Sequence, residues 1–168
     1  ANYSTEDGTF NSDNEYLTII NTARVKRLDL LEYYDSRKNI LDIERNTLFL
    51  LAEELERFKK EKGLKDFTDL LEDFIAKSLP GSLEVLFIDE AQDLSLIQWE
   101  MVRHLWKYAK KTYIAGDDDQ AIFKWAGADV DHFIALKEEV NDIKVLDQSY
   151  RIPGGPIHEL SQKIINKV

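Results

Sequence analysis

Three short apolar runs, each leading into an aspartate, constrain this chain most. Leu83 to Ile88, Thr112 to Ala115 and Ile143 to Leu146 deliver Asp89, Asp117 and Asp147, which stand 28 and 30 residues apart. That interval is the length of a strand–helix–strand unit. Helical patterns over about Ser95 to Lys110 and about Asp131 to Val140 fill the gaps. Brief apolar runs bounded by turn residues and acids are expected of strands buried on both faces of a parallel sheet. The expected class is α/β, with ligand chemistry at the carboxyl ends of the strands.

Upstream of Leu83 the pattern is helical. Residues 1 to 10 are rich in Asn, Ser, Thr, Asp and Gly and expected to be exposed, and Ser12 with Glu15 has the spacing of a capping box. Leu17, Ile20, Ala23 and Leu28 then recur at roughly helical spacing. Asp42 to Lys62 repeats the period with Ile43, Thr47, Leu51, Leu55 and Phe58, and ends in Lys59, Lys60 and Lys62 before Gly63. A third stripe, Leu70, Leu71, Phe74 and Ile75, stops at Pro80-Gly81. We expect a mostly helical subdomain over residues 1–65 and an α/β portion over 66–168.

Composition narrows the chemistry. The 168 residues contain no cysteine, which excludes disulfides, thiolate metal sites and cysteine nucleophiles. His104, His132 and His158 lack metal-ligand spacing. The sequence has neither a long apolar run nor a signal-peptide pattern, so a cytoplasmic protein with no membrane partner is expected. The 22 Lys and Arg against 32 Asp and Glu give a net charge of −10, which argues against a dedicated nucleic-acid clamp.

The strand ends carry the candidate residues. An aspartate such as Asp89 can hold Mg²⁺ directly or through water, and the adjacent Glu90 can polarise an attacking water. The same pair could merely cap the following helix. Asp117, Asp118 and Asp119 arrive at the same edge, where crowded carboxylates call for a cation or a solvated rim. Gln120 can meet a terminal phosphate or a lytic water without adding charge. Phe123, Lys124 and Trp125 beside Gly127 form a platform on which bases can stack while Lys124 meets a phosphate, although either aromatic could also belong to the core. Tyr150 offers a flat face to a nucleobase, and Arg151 a guanidinium to phosphate.

Taken together, three stretches resemble helicase motifs two, three and four of the UvrD/Rep family of superfamily-one helicases. They are residues Leu86 to Asp93, Ala115 to Ala128, and Leu146 to Arg151. Asp66 to Leu71 is similar to a short family motif upstream of the second, and the resemblance covers roughly residues 64 to 155. It implies part of a RecA-like P-loop motor domain, a parallel sheet flanked by helices, preceded by the helical subdomain. It also implies ATP, Mg²⁺ and single-stranded DNA, together with the remainder of a helicase chain.

By resemblance, Asp89 coordinates Mg²⁺, Glu90 activates the lytic water, and Gln120 senses the γ-phosphate and couples it to the DNA site. Arg151 neutralises charge on the γ-phosphate, Tyr150 stacks on adenine, and Gln92 lines the nucleotide site. Phe123 and Trp125 stack on bases. Two positions depart from the family pattern: Ala126 stands where arginine is common and Phe123 where tyrosine is frequent.

A phosphate-cradling loop of the form G-x-x-x-x-G-K-[ST] does not occur in the sequence. Lys77-Ser78 and Lys111-Thr112 are the only Lys followed by Ser or Thr, and neither fits. The chain therefore reads as an interior piece of a helicase, with which its Ala1 start agrees, and the isolated chain is expected to be inactive. Two alternatives remain at this stage. One is a Mg²⁺-dependent nuclease or phosphohydrolase using Asp89, Glu90 and Asp117 to Asp119. The other is a non-catalytic interaction module with a degenerate motor fold.

Overall fold

A computed structural model describes residues 14–39, 43–78, 80–146, 148, 150 and 154–165. Four helices come first: α1 (Glu15–Val25), α2 (Leu30–Asp35), α3 (Arg45–Lys62) and α4 (Phe67–Lys77). Strand β1 (Leu83–Ile88), helix α5 (Leu96–Trp106) and strand β2 (Ala109–Ile114) follow, then α6 (Val130–Ala135) and α7 (Pro156–Ile165). No described helix is long and apolar enough to cross a membrane.

The helix boundaries follow from local chemistry. Ser12 lies outside the described residues, and it is Asn14 that caps α1, its side chain accepting from the Tyr16 and Leu17 N–H groups. At the far end, the Leu28 and Arg27 N–H groups donate to the Ala23 and Arg24 carbonyls, a Schellman closure with Arg27 left-handed at φ 55°. Helix α3 closes at Gly63 as expected, with φ 64°. Asp66 and Asp69 form a reciprocal capping box on α4, and Ser95 with Gln98 does the same on α5.

The apolar stripe of α3 differs from the one expected. Leu51 and Phe58 are exposed, and the inward line runs Leu48, Ala52, Leu55 and Lys59. Apolar residues occupy both sides of this helix, so sequence spacing alone could not choose the buried one. Leu48 joins Ile19, Ile20, Ala23, Tyr33 and Tyr34 in a first core. Leu28 and Leu70, expected to be inward, are exposed.

A second core lies under the sheet. Ala91, Trp99, Val102 and Leu136 are its buried members, with Ile88, Ile114 and Phe133 packed against them. Strands β1 and β2 pair in parallel, Leu86 opposite Thr112 and Ile88 opposite Ile114, as expected for a crossover through α5. The sheet is covered on one face only, not on both. Phe87 and Tyr113 stack on the open face with ring centroids 5.1 Å apart, and Val85 is exposed beside them.

The expected third strand is not formed. Residues 142–146 pair with no strand, and Leu146 is 92% exposed. Its apolar composition satisfies strand propensity, but propensity in a strand reflects packing against neighbours, and among the described residues no strand pairs with this segment. Helix α7 is amphipathic yet leaves Ile157, Leu160 and Ile164 exposed.

Two groups of ion pairs fix the helices around these cores. Arg24 of α1 donates to Asp66 at 2.7 Å and Asp69 at 2.5 Å, and Lys59 of α3 donates to the same carboxylates at 3.0 and 2.9 Å. Arg27 reaches Glu72 of α4 and Glu100 of α5. Behind α6, the Arg103 guanidinium holds Glu139 in bidentate fashion and donates from Nε to His132 Nε2 at 3.1 Å.

Candidate nucleotide and nucleic-acid site

The carboxyl ends of β1 and β2 lie side by side, so the loops that follow them meet. The Ala115 N–H donates to the Ile88 carbonyl at 2.8 Å, and the Ala91 N–H donates to the Ala115 carbonyl at 2.9 Å. These bonds extend the ladder past the strands and hold Asp89-Glu90 against Gly116-Asp117.

In the first loop, Asp89 and Glu90 are exposed. Asp89 Oδ1 accepts the Glu90 N–H at 2.9 Å. The backbone then turns sharply, Glu90 taking φ 51° and ψ 41°, before a 3-10 turn over Ala91–Asp93. A left-handed residue with a side chain is unusual, and such residues gather at functional sites. Asp93 carries a buried Oδ1 with no hydrogen-bond partner. Burial first, and the Glu90 charge second, raise the Asp93 carboxyl above its usual range.

The second loop is organised by Asp117. Its Oδ1 accepts the Asp119 N–H at 3.1 Å, and its Oδ2 accepts from Gln120 Nε2 at 2.5 Å, around a 3-10 turn over Asp118–Gln120. Among the described residues no group of three His, Cys, Asp or Glu is placed to hold a metal ion. The acids of the two loops are thus not a ready-made cage.

Gln92 joins the loops. It is 1% exposed, Nε2 donates to Glu90 Oε2 at 2.8 Å, and Oε1 accepts the Asp117 N–H at 3.0 Å. Gly116 makes room for it: a Cβ there would lie 2.8 Å from Gln92 Oε1 and 2.8 Å from Phe133 Cζ. Gly116 and Phe133 were not singled out by sequence reasoning. A glycine just before the acid run was the one available signal for the first, and nothing local marks the second.

The aromatic turn comes next. Lys124–Ala126 forms a 3-10 turn, closed by Gly127 at φ 112°. Trp125 is 71% exposed and Phe123 half-buried, their ring centroids 6.4 Å apart and inclined by 51°. Lys124 is exposed between them. The turn is anchored below, where Ser95 and Ala128 form an antiparallel bridge and the Asp129 N–H donates to the Leu94 carbonyl at 2.8 Å.

Of the remaining expected residues, Tyr150 is 85% exposed, its hydroxyl donating to Gln148 Oε1 at 3.3 Å. Arg151 lies outside the described residues, as do Asp147 and Ser149. The structure therefore brings Asp89, Glu90, Gln92 and Gln120 together through one hydrogen-bonded unit, with Phe123, Lys124 and Trp125 on the continuation of the second loop.

The family model described as the UvrD/REP helicase N-terminal domain matches residues 2–141. The chain is 31% identical over 106 residues to the ATP-dependent DNA helicase Rep of Escherichia coli (strain K12), covering 56% of this chain and 16% of that protein. It is 27% identical over 128 residues to the ATP-dependent DNA helicase PcrA of Staphylococcus epidermidis, covering 70% of this chain and 18% of that protein. A further relative is the RecBCD enzyme subunit RecB of Buchnera aphidicola subsp. Acyrthosiphon pisum, 35% identical over 104 residues, 61% of this chain and 8% of that protein. The chain thus spans less than a fifth of the length of each of these relatives. No solved structure matches it. With the family model matching all but the first residue and the last stretch, this chain belongs to the UvrD/REP helicase N-terminal domain family.

Proposed function

We propose that this chain is a segment of an ATP-dependent DNA helicase and supplies the nucleotide-hydrolysing edge and a base-stacking turn of its first, RecA-like motor domain. In this reading residues 1–65 are the helical insert and residues 66–168 the motor portion. The observation that carries it is the hydrogen-bonded unit at the strand ends, which sets a strained Glu90 beside Asp89 and ties both to the loop leading to Trp125.

The donor set suits Mg²⁺ and ATP. Magnesium prefers hard oxygen ligands, keeps several waters, and is bound through one or two carboxylates together with substrate phosphates. One exposed aspartate, Asp89, with no cage of described side chains around it, fits that habit. When bound, Mg²⁺ would supply neutralisation of phosphate charge. Glu90 orients and accepts a proton from the attacking water, and Gln120 contacts the terminal phosphate through its amide. Arg151 adds a guanidinium to that phosphate, and Tyr150 stacks on the adenine. Gln92 joins Glu90 to the Asp117 backbone. Phe123 and Trp125 offer faces to successive bases of single-stranded DNA, with Lys124 at the backbone.

Replacing Glu90 with Gln in the helicase that contains this segment tests the reading. Removal of a positioned proton acceptor costs about 10²- to 10⁴-fold, so turnover should fall by at least two orders of magnitude while ATP still binds. Turnover retained near the wild-type rate would overturn Glu90 as the water-activating group. The 168-residue chain by itself should release no phosphate from ATP above background, because its sequence holds no phosphate-cradling loop.

A further inference from the structure

We infer that Gln92 is a positioning residue: its buried amide holds the Glu90 carboxylate at a fixed offset from the Asp117 peptide, so that the two strand-end loops move as one unit. The inference rests on the reading of Glu90 as the water-activating group. It differs from the sequence expectation, in which Gln92 lines the nucleotide site.

Burial separates the two roles. At 1% exposure Gln92 has no face left for a ligand, and both ends of its amide are engaged within the chain. Nε2 points at two carboxylates, Glu90 Oε2 at 2.8 Å and Asp93 Oδ2 at 3.5 Å, and Oε1 receives the Asp117 N–H at 3.0 Å. One end must donate and the other accept, which is what a primary amide does. Glutamate at this position would keep an acceptor for Asp117 but set a third carboxylate against Glu90 and Asp93. Methionine would fill the space with neither function.

The surroundings over-determine the arrangement. On the backbone side the loops are joined by the Ala91 N–H to the Ala115 carbonyl, and Gln92 joins them a second time through its side chain. The absence of a side chain at Gly116 admits the amide, and Phe133 of α6 closes the space behind it. A left-handed residue such as Glu90 persists only where neighbours enforce it, and these contacts do so. Asp117 in turn binds the Gln120 amide at 2.5 Å. A continuous line of hydrogen bonds therefore runs Glu90, Gln92, Asp117, Gln120, toward the turn that carries Trp125.

The first test uses the isotopically labelled 168-residue chain and needs no ligand. The wild-type spectrum should show cross-relaxation between the Gln92 side-chain amide protons and the Glu90 methylenes, and exchange at the Asp117 amide slowed by at least about tenfold relative to an open loop. Gln92→Glu should keep the Asp117 protection and lose the Glu90 contacts, whereas Gln92→Met should lose both. Absence of the Gln92–Glu90 contacts from the wild-type spectrum overturns the positioning role without any variant. The second test is kinetic, in the helicase containing this segment. Gln92→Glu should lower kcat by roughly tenfold or more with KM for ATP nearly unchanged. A raised KM with kcat retained would mark Gln92 as a nucleotide contact and overturn the inference. Full turnover by Glu90→Gln would instead remove the reading of Glu90, and the two failures are thereby told apart.

Discussion

A non-glycine residue in the left-handed region costs about 1–2 kcal/mol, and Glu90 sits there at the end of β1. Its cost is offset by the bonds that Ala91 and Gln92 make across to the second loop. Gly116 is the complementary case, an ordinary backbone whose missing Cβ is the space that Gln92 and Phe133 occupy. Gly116→Ala should therefore destabilise the chain by about 1–3 kcal/mol, the usual cost of overpacking. Urea unfolding would register it as a lowered midpoint with an unchanged slope. At this scale the sequence was legible in part. Residue types and spacing singled out Asp89, Glu90 and Gln120, the family resemblance added Gln92, and the four lie within one hydrogen-bonded unit. What spacing could not reveal is direction: that Gln92 points inward and that Asp117 spends both oxygens on its own loop. Burial and hydrogen-bond partners are properties of the packed chain, not of the local string.

Between elements, the decisive contact is the cluster of Arg24, Lys59, Asp66 and Asp69, which ties α1 and α3 to the first turn of α4. Burial by itself would raise the Asp69 carboxyl. Hydrogen bonds from Lys59, from the Asp66 backbone and from Arg24 outweigh it and hold the group at about 2. Because the folded value is depressed below the ordinary 3.8 of an aspartate, the contribution is fully present above the unfolded pKa and is lost as pH falls through about 2. One pKa unit corresponds to about 1.4 kcal/mol, so the contribution is on the order of 2 kcal/mol. Asp69→Asn should lower neutral-pH stability by about 1–3 kcal/mol and flatten the acid limb of the stability profile. An acid limb as steep as wild type in this variant would assign the effect elsewhere. Upstream of Ile114 the sequence showed Gly63 as a stop and the existence of both strands, but neither the separate short helix α2 nor the capping role of Asp66 and Asp69. The loss of the third strand was not readable, since Ile143 to Leu146 satisfies composition but finds no partner to pair with among the described residues. Helix α3 shows the other limit, where apolar residues on two sides conceal which stripe turns inward.

Across the whole molecule, two cores are filled while one sheet face stays bare. Val85, Phe87 and Tyr113 there, with Ile157, Leu160 and Ile164 on α7, leave large apolar side chains in water. Exposed apolar patches of this sort promote association, so the isolated 168-residue chain should sediment as a concentration-dependent mixture. Phe87→Lys should shift that mixture toward monomer. A wild-type chain that remains monomeric at high concentration would show the face to be tolerated.

The closeness of the aromatic turn to the first helix has a mechanical consequence. A Cβ on Gly127 would lie 2.7 Å from Val25 Cγ2, so no slack separates the turn that presents Trp125 from the end of α1. Packed protein interiors are nearly incompressible and transmit strain. A shift of this turn toward α1 at Gly127 would therefore meet Val25 at once, so the backbone that carries Trp125 and the end of α1 limit each other's position.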